Sequence, residues 1–382
     1  MKVLLVHTYY QIKGGEDSVF TQETELLKTE HTVRALSFQN KTGWKGALQF
    51  IFSIYNIYAG FKLRRAIKEF APDVIHFHNL HFAIGPIAIL IAKRHNIPVV
   101  LTLHNYRLLC PSAILQYNGS LFTDSLRSAF PWTAINLKVY RNSKFQTFWL
   151  AFVIFFHKKL GTWKKVDRYI ALTEFSKDLF AKSSFELSDN QICTKPNFVE
   201  SSNNIKKQRE GHFLFVGRLM EEKGIDILLN AFKNSQYKLQ IAGSGPLLTE
   251  VLQFCKSNNN VTFLGNLSKS EVLDAMSRCT ALIFPSTWFE GMPMTILESF
   301  SLGTPIIASK IGAMETMIID GYNGIHFETG SSQALLSAVI RWNSVTTLEQ
   351  SDYRKNATES YMQNYTPSAN LIQLNKIYQS IN

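Results

Sequence analysis

The chain is poor in cysteine, in acidic charge and in long apolar runs, and each shortage closes off a class of function. Its 382 residues include four cysteines, Cys110, Cys193, Cys255 and Cys279, and no two form a CxxC pair. This argues against a zinc ribbon or a dithiol redox motif; scattered cysteines in a chain this long read as reduced thiols of a cytoplasmic protein. The longest apolar runs, Phe82–Ala92 (broken by Gly85-Pro86) and Phe148–Phe156, fall well short of the roughly 18–20 residues that span a bilayer. The opening MKVLLVHTYY has four consecutive apolar residues before His7. That is too short for the apolar region of a signal peptide and reads as a buried first strand. No repeat or low-complexity tract occurs. Acid is scarce: 29 Asp+Glu stand against 40 Lys+Arg, a net charge of +11. Such an excess suits nucleic acid, an anionic membrane surface or a phosphate-bearing substrate, without choosing among them.

Apolar material, by contrast, is ample. Hydrophobic residues make up 46% and charged residues 18%, which excludes a disordered chain. At roughly 100–200 residues per domain, the length predicts two domains. Short apolar runs alternate with helix-like stretches. The first half runs Val3–Val6, Gly14-Gly15, a helical stretch from Glu16 to about Glu30, Val33–Leu36, a long helical region over Leu48–Phe70, Val74–Phe77, a helix near Pro86–His95, Val99–Leu103 and Tyr169–Leu172. The polar segment Glu200–Gly211 marks a junction. The alternation restarts with Phe213–Val216, a helix from about Ile225, Lys238–Ala242, Val261–Phe263, Ala281–Phe284 and Pro305–Ala308. This pattern implies right-handed βαβ units and parallel sheets. The expected architecture is α/β: two Rossmann-like halves, residues 1–198 and 199–365, facing each other across a cleft lined by loops at strand carboxyl ends. The helix-like tail, about residues 366–382, is expected to return to the first half.

Four strings carry chemistry. Gly14-Gly15 follows the first strand and precedes a helix, where backbone N–H groups and the helix dipole favour an anion; it is also compatible with a plain tight turn. In FVGRLMEEKG, Arg218 and Lys223 lie five apart after the first strand of the second half, so both can converge on a diphosphate. Any single Arg–Lys pair is more often a solvated basic loop. IAGSGP places Gly243 in a second strand-to-loop turn, close to a ligand or to another loop. FPSTWFEGMPMTILESF is the most specific. Glu290 and Glu298 form E-x7-E around a helix start, with first-turn N–H groups at Met294 and Thr295 for phosphate and carboxylates for sugar hydroxyls. The bland reading of Glu298 is a partner for the helix dipole.

The histidines are more ambiguous. Period two places His76 and His78 on one face of a strand, but a metal site needs three or four converging ligands, and no acid lies nearby in sequence. His104 ends the run Val99–Leu103 and is the better candidate for substrate contact. Arg127–Arg168 holds nine Lys/Arg, one acid (Asp167) and Trp132, Trp149 and Trp163. That composition fits an interfacial segment on anionic lipid, or else a buried helix with solvated ends.

Taken together, these strings resemble the family 4 retaining glycosyltransferases of the GT-B fold. The resemblance runs in order through Gly14-Gly15, His78, His104, Thr173–Ser176, Pro196-Asn197, Gly217-Arg218, Glu222-Lys223-Gly224, Gly243–Pro246 and the E-x7-E string, with HNYRLLCP similar to bacterial capsule, exopolysaccharide and O-antigen transferases. It implies transfer of a hexose-type sugar from a nucleotide-sugar, a UDP-sugar by family prior, to a lipid-linked or saccharide acceptor, with retention of configuration. Arg218 and Lys223 are then expected to stabilise the leaving diphosphate in place of a metal, and Glu298 to hold the ribose. Glu290 is expected to contact the sugar, and Gly217, Gly243, Met294 and Thr295 the donor. The Phe263–Gly265 loop, including Leu264, borders the base, Gly14 and Gly15 approach the diphosphate, and His104 sits near the donor sugar. No cofactor, metal or nucleic acid is expected; the location expected is cytoplasmic, on the inner face of the plasma membrane. The rival readings are an epimerase or phosphorylase of the same fold, and a non-catalytic basic protein that binds membrane or nucleic acid. An NAD-dependent oxidoreductase is disfavoured by the missing G-x-G-x-x-G.

Overall fold

The computed structural model describes residues 1–11, 14–201 and 208–381. Residues 202–207 of the expected junction and residues 12–13 of the first glycine loop lie outside the described residues. The chain divides into two compact units. The first comprises Met1–Tyr117, Phe122–Asn197 and Asn370–Asn382, the second Asn118–Leu121 and Phe198–Ala369.

Each unit is built on a six-stranded sheet, and every pairing is parallel. In the first unit the strands are β1 (Lys2–Tyr9), β2 (Thr32–Gln39), β3 (Val74–Phe77), β4 (Val99–Leu103), β5 (Arg168–Ala171) and β6 (Ile192–Thr194), in spatial order β2-β1-β3-β4-β5-β6. In the second they are β7 (Phe213–Val216), β8 (Leu239–Ala242), β9 (Val261–Gly265), β10 (Ala281–Phe284), β11 (Ile306–Ser309) and β12 (Gly324–Phe327), in spatial order β9-β8-β7-β10-β11-β12. The order reverses between β1 and β3 in one sheet and between β7 and β10 in the other. In open α/β sheets a crevice opens at such a reversal, outside the strand carboxyl ends, and ligands bind there.

Alternation along buried strands sends successive side chains to opposite faces. Phe213, Phe215, Ile241, Ile283 and Ile307 enter one core of the second unit. Leu214, Leu282, Phe284, Ile306 and Ala308 enter the other. In the first unit Val3, Leu5, Val74, Val100 and Ile170 pack with Phe20 and Leu27 of the helix Gly15–Leu27. Leu371, Leu374, Ile377 and Tyr378 of the C-terminal helix Pro367–Gln379 complete that core.

The long helical region read over Leu48–Phe70 is two helices, Gly43–Ile51 and Ile57–Phe70, with a short 3-10 turn, Phe52–Ile54, between them. Asn56 is the reason: its side chain accepts the Ala59 N–H at 3.0 Å and restarts the helix as an N-cap. Strands β6 (Ile-Cys-Thr) and β12 (Gly-Ile-His-Phe) do not stand out in the sequence because neither is a continuous apolar run.

Candidate functional site

At the reversal of the second sheet the loops after β7 and β10 meet. The Lys223 ammonium lies 2.5 Å from Glu290 Oε1. The same oxygen accepts the Trp288 indole N–H at 2.6 Å and the Ser286 hydroxyl at 2.8 Å. Both charged side chains are largely buried, so three donors on one oxygen fix the carboxylate rotamer. The Trp288 ring also lies 5.1 Å from the Lys223 ammonium, a cation–π contact. Backbone joins the loops as well: the Glu222 carbonyl accepts the Thr287 N–H at 2.9 Å and the Ser286 hydroxyl at 3.1 Å. Gly224 has φ +71°, and a Cβ there would stand 2.0 Å from the Pro285 carbonyl oxygen, so only glycine fits.

The loop after β8 is joined to the same platform. Gly243 has φ +144°, and its Cβ would fall 1.9 Å from the Gly217 carbonyl oxygen. The Gly217 N–H bonds the Ala242 carbonyl at 3.1 Å, Leu219 N–H the Ser244 carbonyl at 2.9 Å, and Gly243 N–H the Gly265 carbonyl at 2.9 Å. The glycines of these motifs thus let three loops pack backbone on backbone. Arg218 projects from this platform, exposed and without an ion pair among the described residues. The helix Met294–Ser301 begins four residues after Glu290, following Pro293. Its first turn carries the Thr295 N–H, which has no intrahelical acceptor. Glu298 is mostly shielded from solvent and ion-paired to Lys269, which opens the helix Lys269–Arg278. Leu264, half-buried in β9, is next to Gly265.

In the first unit, the ends of β1, β3 and β4 bring polar groups together. His7 Nε2 is 2.7 Å from Asp17 Oδ1, while Asp17 Oδ2 accepts the Gly14 N–H at 2.9 Å. Asp17 thereby caps the helix that Gly15 opens. Burial pushes the His7 ring down to about 4 against the pull of Asp17. No atom lies within 4 Å of a Cβ placed on Gly14 or Gly15. Glu16 accepts from Asn79 at 2.9 Å and from Asn105 at 3.5 Å. Burial, then the neighbouring Asp17 charge, raises Glu16 to about 7 despite Arg107.

Behind this lies a network whose members are buried except for the partly exposed His104. Glu23 sits 2.5 Å from the Lys195 ammonium, 3.1 Å from His78 Nε2 and 3.5 Å from His76 Nδ1. His78 Nδ1 is 3.0 Å from His104 Nε2. His76 bonds Tyr378 and Thr102, each at 2.8 Å. Burial raises the Glu23 carboxyl, but the Lys195 charge, then His78, outweigh it and hold it well below its usual range. Burial, then His78, holds His104 well below the usual histidine range, so it is neutral at pH 7. Glu23, His76 and His78 are within ligand distance of one another, but the Lys195 ammonium already supplies the cation that balances the carboxylate.

The structure therefore assembles Gly217, Lys223, Gly243 and Glu290 in one platform of the second unit, with Arg218 on a loop of the same sheet, Leu264 in strand β9, and Met294, Thr295 and Glu298 on the helix Met294–Ser301. Gly14, Gly15 and His104 belong to the first unit. Sequence reasoning missed Ser286 and Trp288 as the donors that orient Glu290, though both stand within four residues of it. It also missed Glu23, Lys195 and Lys269, whose partners are far away in the chain. The acid missing beside His76 and His78 is Glu23.

Residues 198–360 match the family model described as Glycosyl transferases group 1, and residues 14–202 match the one described as Glycosyltransferase Family 4. The O-antigen chain mannosyltransferase C of Escherichia coli is 29% identical over 210 residues, 46% of this chain and 56% of that protein. The alpha-monoglucosyldiacylglycerol synthase of Streptococcus pneumoniae is 25% identical over 374 residues, 88% of this chain and 78% of that protein. The alignments to several curated relatives span about half of their length or less, 36%, 56% and 41%. The crystal structure of Anabaena HepE in complex with UDP superposes with a TM-score of 0.71 at 17% identity, covering 100% of both chains. That likeness shows a shared fold.

Proposed function

The chain belongs to the group 1 and family 4 glycosyltransferases and has the GT-B fold, and on that footing we propose that it moves a hexose-type sugar from a UDP-sugar to a lipid-linked or saccharide acceptor, with retention, in the synthesis of a bacterial surface polysaccharide or glycolipid. The observation that carries this is the Lys223–Glu290 pair on a glycine-joined platform at the reversal of the second sheet, beside a helix N-terminus. An ammonium has three donors, so its bond to Glu290 leaves two for phosphate oxygens. Exposed Arg218 adds a bidentate fork. Together with the N–H groups of Met294 and Thr295 they neutralise the diphosphate as it leaves, without a metal. Glu298, held by Lys269, takes the ribose hydroxyls; Glu290, held by Ser286 and Trp288, takes hydroxyls of the transferred sugar. The acceptor hydroxyl attacks the anomeric carbon on the face the diphosphate leaves, the bond from that carbon to the phosphate oxygen breaks, and the departing oxygen takes the proton. We assign the acceptor side to the first unit.

The names of the E. coli and S. pneumoniae relatives support a saccharide or glycolipid acceptor, and the bound UDP of the Anabaena structure supports the donor base. Among the described residues no helix is long and apolar enough to cross a membrane; the basic Arg127–Arg168 segment supports a peripheral place on the cytoplasmic face. The test is thermal unfolding with UDP-, GDP- and dTDP-hexoses. A ligand that binds only the folded state raises the melting temperature. UDP-sugars are expected to raise it for the native chain and not for Lys223→Ala or Glu298→Ala. No shift with any nucleotide-sugar refutes the donor site.

A further inference from the structure

Outside the sites above, the first unit carries an apolar face that nothing in that unit covers. The helix Gly43–Ile51 buries none of its residues. Trp44 is 71% exposed, Ile57 74%, Tyr58 67% and Phe61 64%, and Leu48, Ile51, Phe52 and Tyr55 are exposed between them. Scattered single apolar residues are ordinary on a surface, but a contiguous set marks an interaction face.

The face is held in place rather than loose. Side chains of the body clamp the segment's carbonyls and leave its own side chains outside. Gln11 Nε2 donates to the Lys41 carbonyl at 2.7 Å, Trp149 Nε1 to Phe50 at 2.8 Å and His157 Nε2 to Ile54 at 2.9 Å. Asn56 Nδ2 returns a bond to the Ala83 carbonyl at 2.7 Å. Ser53 is buried, and its carbonyl approaches Gly85 so closely that a Cβ there would lie 2.2 Å away.

Charge selects the occupant. From His31 to Lys68 the chain has Arg34, Lys41, Lys45, Lys62, Arg64, Arg65 and Lys68 and no Asp or Glu; Glu69 pairs with Arg34 and Arg65, which leaves Lys41, Lys45, Lys62, Arg64 and Lys68 without an ion pair among the described residues. Lys45 lies 5.5 Å from the Trp44 ring and Lys62 4.8 Å from the Tyr58 ring. A ring beside an ammonium is the arrangement in which the ring enters the acyl boundary and the cation stays among headgroups. A second copy would bring the same positive charge to a two-fold interface. We propose that residues 43–61 dock the first unit on an anionic lipid surface, with Trp44, Ile57, Tyr58 and Phe61 inserted and the surrounding Lys and Arg at the headgroups. The inference goes beyond the electrostatic contact assigned to Arg127–Arg168 and stands apart from the donor site.

The test is co-sedimentation of the full chain with phosphatidylcholine vesicles, with and without about 30% phosphatidylglycerol, at low salt and at about 0.5 M NaCl. The native chain is expected to bind the anionic vesicles and to retain part of that binding at high salt, because apolar insertion is not screened. Trp44→Ser/Phe61→Ser should bind at least roughly tenfold more weakly. Lys45→Ala/Lys62→Ala should lose mainly the salt-sensitive part. All four positions are exposed, so melting temperatures and the nucleotide-sugar shift should be unchanged, which separates a failure here from failure of the transferase reading. Three results overturn the proposal: no binding to either vesicle, undiminished binding by Trp44→Ser/Phe61→Ser, or a lipid-free dimer that this variant dissociates.

Discussion

Glu16 offers a measurable consequence of burying a carboxyl beside another acid. Among the described residues its oxygens meet only the side-chain amides of Asn79 and Asn105, and burial first, then Asp17, raises its pKa from 4.5 to about 7. At about 1.4 kcal/mol per tenfold, 7 − 4.5 corresponds to about 3 kcal/mol. The sign follows from linkage. The native state prefers the protonated acid, so this contribution to stability is present below about pH 4.5 and is lost as pH rises through about 7. Glu16→Gln cannot ionise, and its carbonyl oxygen can keep the shorter bond from Asn79. Urea unfolding of both proteins from pH 4 to pH 8 should therefore show the variant gaining on the native chain by about 3 kcal/mol, mostly between pH 5 and 7. Parallel stability curves for the two proteins refute the reasoning.

Lys195→Ala leaves Glu23 buried without its ammonium and should cost about 3–5 kcal/mol. Adding Glu23→Gln should recover part of the loss, and a thermal double-mutant cycle without coupling contradicts the network described. Gly243→Ala forces a Cβ into the Gly217 carbonyl, so it should lower the melting temperature and abolish the UDP-sugar shift. Gly14→Ala, where a Cβ meets nothing within 4 Å, should leave the melting temperature unchanged.

Much of the fold was legible because parallel strands buried on both faces read as short apolar runs: Val74–Phe77, Val99–Leu103, Phe213–Val216 and Ala281–Phe284 all coincide with strands. The loop strings of the second unit were legible for a related reason. A ligand crevice forms where chain leaves a strand, so its residues stay in order along the sequence. Long-range partners were not legible. Glu23 meets Lys195 across 172 positions and Lys269 meets Glu298 across 29, and no local pattern announces either pair. The break at Asn56 was hidden because the apolar residues around it continue at helical spacing, although they face outward.

The tail that closes the first core has a consequence for modularity. Tyr378 bonds His76, Asn370 bonds Lys195 and the Pro196 carbonyl, and Leu371, Leu374 and Ile377 fill the space under β1 and β3. The first unit is thus written in separated stretches of chain, with nearly all of the second inserted before its last piece. A single crossover near residue 198 therefore cannot exchange the whole first unit between relatives. Such a chimera pairs one parent's strands with the other parent's closing helix, so recombination that preserves the fold needs a second joint near residue 370.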